Sequence, residues 1–337
     1  MEDLVRQCVG RGDVGAVQGA WRRGGETGHV VAGACDARSR FPLASLSKPL
    51  VATACLLAAD EGQLDLDADL AALVPEARCR ATLRELLCHA GGLPFDSADA
   101  RRVQLDPSAG WREVAAAYCA VEPVGAPRTR RLYSNAGYSL AALALERAMG
   151  AEYRTAIQHL VLDPLELTGT DFGAGADDPA VIAVREPGLL GHGEQLFNGS
   201  RFRGLGLPQS GAFGTADDYL RLLDAIAGVG PTSLPPAVRA GLLTGQCGEP
   251  PGGVEGFMTW PRCAWTAGFD LRDGKSPHWT GTALSPAAIS HFGASGALTV
   301  HDPSADASLV LLADRSTYSG WMLEPGGWPD ICAALVA

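Results

Sequence analysis

The apolar positions along this chain change their period as they run from one end to the other. Residues 14–21 and 29–34 are short, glycine-punctuated apolar runs of the kind that pair as strands. From residue 46 to 60 the pattern turns helical and strongly apolar, ending at Glu61-Gly62. Thr82-Leu83-Arg84-Glu85 has the spacing of a capping box and predicts a short helix toward His89. Residues 111–120, 136–149 (stopped by Gly150) and 153–162 (ended by Asp163-Pro164) predict further helices. Thr215 is placed to N-cap another, running to Ala227. Beyond about residue 255 the runs shorten and Gly, Pro and Asp break them. Residues 289–292, 296–301 and 308–313 read as strands, and Pro329 opens a C-terminal helix reaching Val336. Strands at both ends with helices between predict one sheet built from the two termini. There is no internal repeat and no linker long enough to separate independent domains.

Composition agrees with a packed chain. Hydrophobic residues make up 47% and charged ones 19% of 337 residues, which excludes a disordered protein. The net charge of −11 lacks the basic footprint of a nucleic-acid binder. No apolar run approaches the ~18 residues of a membrane span, and the acidic start Met1-Glu2-Asp3 leads into no secretory h-region. The nine cysteines are scattered singly and read as reduced, mostly buried small residues, so the expected compartment is the cytoplasm. No histidines stand at metal-ligand spacing, and neither a metal nor any other cofactor is expected.

One count points at chemistry. Of the 27 basic residues 25 are Arg and two are Lys, Lys48 and Lys275. A buried Lys can lose its proton where Arg cannot. Lys275 stands in a glycine-flanked stretch that misses the P-loop spacing by one residue, and it reads as a solvated loop residue. Lys48 closes Ser45-Leu46-Ser47-Lys48 at a predicted helix start, where positions i and i+3 share a face. A hydroxyl beside an amine of lowered pKa is an activated nucleophile; the bland alternative is that Ser45 merely caps the helix. Tyr133-Ser134-Asn135 precedes the next long helix, and a phenol whose pKa is lowered by a nearby Lys cation can shuttle a proton. His291-Phe292-Gly293-Ala294-Ser295-Gly296 ends a strand with a glycine-rich edge, which can offer N–H groups to an oxyanion.

In this order, S-x-x-K, Y-S-N and H-x-G, the motif set resembles the serine β-lactamase and penicillin-binding-protein superfamily. The closer likeness is to the branch with class C β-lactamases, D-alanyl-D-alanine carboxypeptidases, D-aminopeptidases and related esterases and transesterases. Leu86-Leu87-Cys88-His89-Ala90-Gly91-Gly92-Leu93-Pro94 and Ser210-Gly211-Ala212-Phe213-Gly214-Thr215 carry the likeness between the motifs. The resemblance implies an α/β (α+β) fold with an antiparallel sheet flanked by helices. It divides the chain into a sheet domain (1–60 and 255–337) and a mostly helical domain (61–254), with the site in the cleft between them. By the same resemblance Ser45 is the acylated nucleophile, and Lys48 with Tyr133 is the general acid–base pair. Asn135 hydrogen-bonds the substrate and the Lys48 amine. Backbone N–H groups of Ser45 and Ala294 form the oxyanion hole, and His291, Phe292 and Gly293 line the cleft.

Two departures bear on substrate. His291 stands where many relatives carry Lys, and it is mostly neutral at pH 7. Phe292 replaces a small or hydroxylated residue and is expected to narrow the cleft. Both weaken the anchor for a carboxylate. The expected activity is therefore ester or amide hydrolysis, or acyl transfer, on a small acyl donor with water, an amine or an alcohol as acceptor. The alternatives are a β-lactamase or D-amino-acid peptidase, and a non-catalytic ligand-binding relative, against which the retention of Ser45, Lys48 and Tyr133 speaks.

Overall fold

The computed structural model describes residues 1–174, 178–185 and 197–337. Its main sheet has six antiparallel strands: β1 (Ala16–Arg23), β2 (Glu26–Gly33), β3 (Asp270–Leu271), β4 (Ile289–Gly293), β5 (Ala297–Asp302) and β6 (Ala307–Ala313). The order across the sheet is β2-β1-β6-β5-β4-β3. The two ends of the chain meet where β1 pairs with β6, Val17 opposite Ala313.

Strand alternation sends successive side chains to opposite faces, and here both faces are covered. Ala16, Ala20, Ile289, Ala297, Val310 and Leu312 point into the larger core, which also holds the helices Ser47–Asp60 and Ala216–Ala227. Val17, Leu298, Val300, Leu309 and Leu311 point the other way. There they meet Val5 and Cys8 of the first helix, Glu2–Gly10, and Trp328, Ile331 and Leu335 of the last, Trp328–Val336. Helix Ser47–Asp60 is buried on nearly every side, which accounts for its uniformly apolar sequence. The capping box at Thr82–Glu85 is formed, and Gly150 ends Asn135–Met149 in a left-handed conformation, φ +65°. The first helix was not legible in the pattern because it buries only Val5 and Cys8.

Lys275 corrects the sequence reading. It is not solvated: its side chain is 1% exposed, in an ion pair with the equally buried Asp270 of β3. The same ammonium donates to the carbonyls of Ala264 (2.6 Å) and Leu271 (2.9 Å). His278 Nε2 meets the other Asp270 oxygen at 2.8 Å. Burial raises the Asp270 pKa, but Lys275 and His278 together hold it below its ordinary value. A compact ammonium with three rotatable donors suits these three acceptors, which explains Lys here in an Arg-rich chain. Lys275→Met is expected to destabilise the protein by about 3–5 kcal/mol, because it strips a buried carboxylate of its cation. An unchanged urea midpoint for that variant would show that the pair contributes nothing.

Candidate active site

Ser45 does not sit in the α-helix proper but in a single 3-10 turn, Ala44–Leu46, that feeds it. Ala44 has φ +46°, a left-handed value unusual for a residue with a Cβ and a form of local strain common at functional turns. Two hydrogen bonds through one hydroxyl hold the turn: Ser47 Oγ donates to Ala44 O (2.7 Å) and accepts from Ala212 N–H (2.9 Å). Gly293 ends β4 directly against this turn, since a Cβ there would lie 2.3 Å from the Leu43 carbonyl oxygen. Glycine is required at that point by the closeness of the two backbones.

One helical turn on from Ser45, Lys48 Nζ donates to Ser45 Oγ at 3.0 Å and to the Gln209 carbonyl at 2.9 Å. The ammonium is fully buried, which pushes its pKa down to about 7 against the opposing pull of Asp96. It also lies 4.8 Å from the ring centroid of Tyr133. The Tyr133 phenol lies close enough to Ser45 to interact with it, and its Oη is 3.5 Å from His291 Nε2. Burial raises the phenol pKa well above the ordinary value, with the Ser45 hydroxyl a smaller opposing effect. This reverses the expectation that a Lys cation would lower it. The amine, not the phenol, is the group poised to lose its proton near neutrality.

His291 is buried, and burial followed by the Lys48 charge lowers its pKa to about 3. Its Nδ1 lies 2.9 Å from the Phe292 carbonyl, an acceptor only, so Nδ1 carries the hydrogen and Nε2 presents a lone pair to Tyr133. The ring is neutral at any ordinary pH. Ala294 follows in the turn after β4, its carbonyl accepting from Ser316 Oγ (2.8 Å) and Thr317 N–H (3.1 Å). These bonds fix the orientation of a peptide beside the Ser45 turn.

The structure separates two residues from the places expected for them. Asn135 Nδ2 donates to Asp96 (3.1 Å) rather than to Lys48, whose second acceptor is Gln209. Phe292 lies on the opposite face of β4 from His291, its ring 5.1 Å from Trp279 and 5.2 Å from Phe257. It fills an aromatic cluster behind the sheet and does not narrow the cleft. Strand alternation makes that outcome unavoidable once His291 faces Tyr133.

Four further residues shape the site and were not singled out from sequence. Gln209 holds Lys48, while its side chain accepts from Ser139 Oγ at 2.9 Å. Asp96 joins Asn135, Tyr118 and Arg101. His89 lies against Tyr133, centroids 4.3 Å apart, and its Nδ1 accepts the Ser134 N–H at 3.0 Å. Trp265 meets Tyr133 and His291 edge-on. Of these, only His89 and Gln209 had a sequence signal, standing within or next to the familial stretches. Among the described residues no group of three or more His, Cys, Asp or Glu is arranged to hold a metal, and no helix is long and apolar enough to cross a membrane.

This chain belongs to the beta-lactamase family of hydrolases, whose family model matches residues 1–320. It is 32% identical over 228 residues to the esterase EstB of Burkholderia gladioli, a stretch covering 55% of this chain and 56% of that protein. The chain thus spans little more than half the length of that relative in the matched region. Among solved structures it resembles a beta-lactamase from Mycobacterium bovis (27% identity, TM-score 0.72, covering 98% of this chain and 97% of the other). It also shares its fold with EstCE1, a hydrolase with promiscuous acyltransferase activity (19% identity, TM-score 0.79, 99% and 96% covered).

Proposed function

We propose that the protein is a serine esterase or transacylase that forms an acyl-enzyme at Ser45. The observation that carries this reading is the 3.0 Å contact between Ser45 Oγ and a fully buried Lys48 whose pKa is about 7. At neutral pH much of that amine is uncharged and can take the Ser45 proton as the hydroxyl attacks an acyl carbon. Tyr133, kept protonated by burial, donates to the leaving-group oxygen and regains its proton through Lys48. The amides of Ser45 and Ala294 receive the oxyanion. The esterase named among the relatives supports ester substrates, and the acyltransferase activity named for EstCE1 supports an amine or alcohol competing with water.

The charge around the site favours esters over β-lactams. A β-lactam carboxylate needs a cation, and His291 is neutral. Arg201 aims its guanidinium at the carbonyls of Gln104 and Ala109, and Arg203 is buried with Nε toward the Phe197 carbonyl. At the Tyr133 side Phe95 stacks on the phenol ring and is 37% exposed, an apolar surface for an uncharged acyl or alcohol group. Loss of one charge-assisted hydrogen bond costs roughly 1.5–3 kcal/mol, or about ten- to a hundredfold in rate. Acylation rate constants for p-nitrophenyl acetate and nitrocefin, each divided by its hydroxide rate constant, are expected to favour the ester by that factor. An advantage for nitrocefin on the same scale would overturn the ester reading in favour of a β-lactamase or peptidase.

A further inference from the structure

Outside the catalytic cluster, two thiols from distant parts of the chain meet beside the wall that supports Tyr133. All nine cysteines are free. Cys88 caps the helix Leu83–Leu87 and is buried, whereas Cys247, in the segment after the helix Pro236–Leu243, is half-buried with φ +57°. Both belong to the packing of the same apolar cluster and their side chains interact, while the Cys88 thiol donates to the Glu85 carbonyl at 3.8 Å. The wholly buried Arg131 holds the two segments together. Its Nη1 donates to the Cys88 carbonyl at 2.6 Å. Its Nη2 donates to the carbonyls on either side of Cys247, Gln246 at 3.1 Å and Gly248 at 2.6 Å.

The two thiols are chemically unequal. The neighbouring Cys88 thiol, and after the opposing effect of burial the charges of Arg128 and Arg131, bring the Cys247 pKa down to about 7. Burial pushes Cys88 well up, so it remains a thiol. A partly exposed thiolate beside a protonated thiol is the arrangement of an attacking and a resolving cysteine.

We propose that Cys88 and Cys247 are a peroxide-oxidised dithiol–disulfide pair whose closure disturbs the support of Tyr133. The Cys247 thiolate attacks one oxygen of hydrogen peroxide, the O–O bond breaks, and hydroxide leaves, giving a sulfenic acid. The Cys88 sulfur then attacks the Cys247 sulfur; the S–O bond breaks, and the Cys88 proton goes out with the departing oxygen as water. Two electrons pass from the pair of sulfurs to the peroxide. The sulfurs must close to a bond of about 2.05 Å, which draws on the backbone at residue 88. The next residue is His89, which accepts from Ser134 N–H and lies against the Tyr133 ring. Its carbonyl also accepts the Leu132 N–H, so a shift at 88 is passed to the Tyr133 segment at more than one point.

The test treats the reduced protein with a few equivalents of hydrogen peroxide, blocks residual thiols with iodoacetamide, and maps cross-linked peptides by mass spectrometry. The expected product is one disulfide joining Cys88 to Cys247, absent from Cys247→Ser and Cys88→Ser and removed by dithiothreitol. Oxidation of Cys247 without capture by Cys88, or a disulfide joining other cysteines, would overturn the pairing. Hydrolysis of p-nitrophenyl acetate is expected to fall severalfold on oxidation and return on reduction, with Cys247→Ser resistant to the loss. This second readout alone rests on the proposed esterase function. A mapped disulfide with undiminished hydrolysis would overturn the coupling to Tyr133 while leaving the esterase reading intact.

Discussion

Replacing Ser45 by Ala is expected to abolish covalent labelling by a fluorophosphonate and to lower ester turnover by on the order of 10⁶-fold, the scale of losing the nucleophile of a serine hydrolase. The reasoning is geometric. Ser45 Oγ contacts the Lys48 amine at 3.0 Å and lies beside the Tyr133 phenol, so it stands between a group that can accept its proton and one that can donate. The left-handed Ala44 and the bonds through Ser47 keep the turn in place without help from the Ser45 side chain. The Ala variant should therefore fold with an unchanged melting temperature. Intact-mass measurement after probe treatment is the check, and undiminished labelling of the variant would remove Ser45 from the mechanism.

The second large effect is at Lys48. Lys48→Arg keeps a cation but cannot deprotonate at usable pH, and it is expected to lose about 10²–10⁴ in kcat, the usual size of a general-base contribution. In the unmodified protein kcat/KM should climb about tenfold per pH unit below about 7 and level off above, because the neutral amine is the active form. His291, at about 3, adds no limb in that range. A profile flat from pH 5 to 9 would count against Lys48 as the base. The same burial has a price in stability, with a definite sign. The folded-state pKa of Lys48 lies below its unfolded value of 10.5, so the unfolded chain binds the proton more readily. Stability from this group is therefore lowest below about pH 7 and recovers as pH rises toward 10.5. Lys48→Met should be more stable than the parent at pH 6 by a few kcal/mol, while inactive. A lower urea midpoint at that pH would contradict the desolvation account.

Much of the site was legible because its elements are local or ordered along the chain. The i, i+3 spacing of Ser45 and Lys48 follows from one helical turn, and the rarity of Lys drew attention to position 48. The capping box at Thr82 and the glycine stop at Gly150 are likewise local devices, and both are present. Alternation on β4 was equally local, yet its consequence needed the sheet. Only knowing that His291 faces Tyr133 tells which face Phe292 must take.

The sequence by itself determined the order of the candidate motifs and the pairing of Ser45 with Lys48, since both are set by spacing along the chain, and the resemblance that those motifs carry implied the fold class. Tertiary structure decided the rest, because burial and long-range partners exist only after the chain has closed on itself. It turned Lys275 from an apparent loop residue into the buried partner of Asp270. It gave Asn135 to Asp96 and Lys48 to the Gln209 carbonyl, 161 residues away in sequence. It also reversed the expected titration of the phenol, raising Tyr133 while lowering Lys48 as expected, because removal from water penalises the charged form of each.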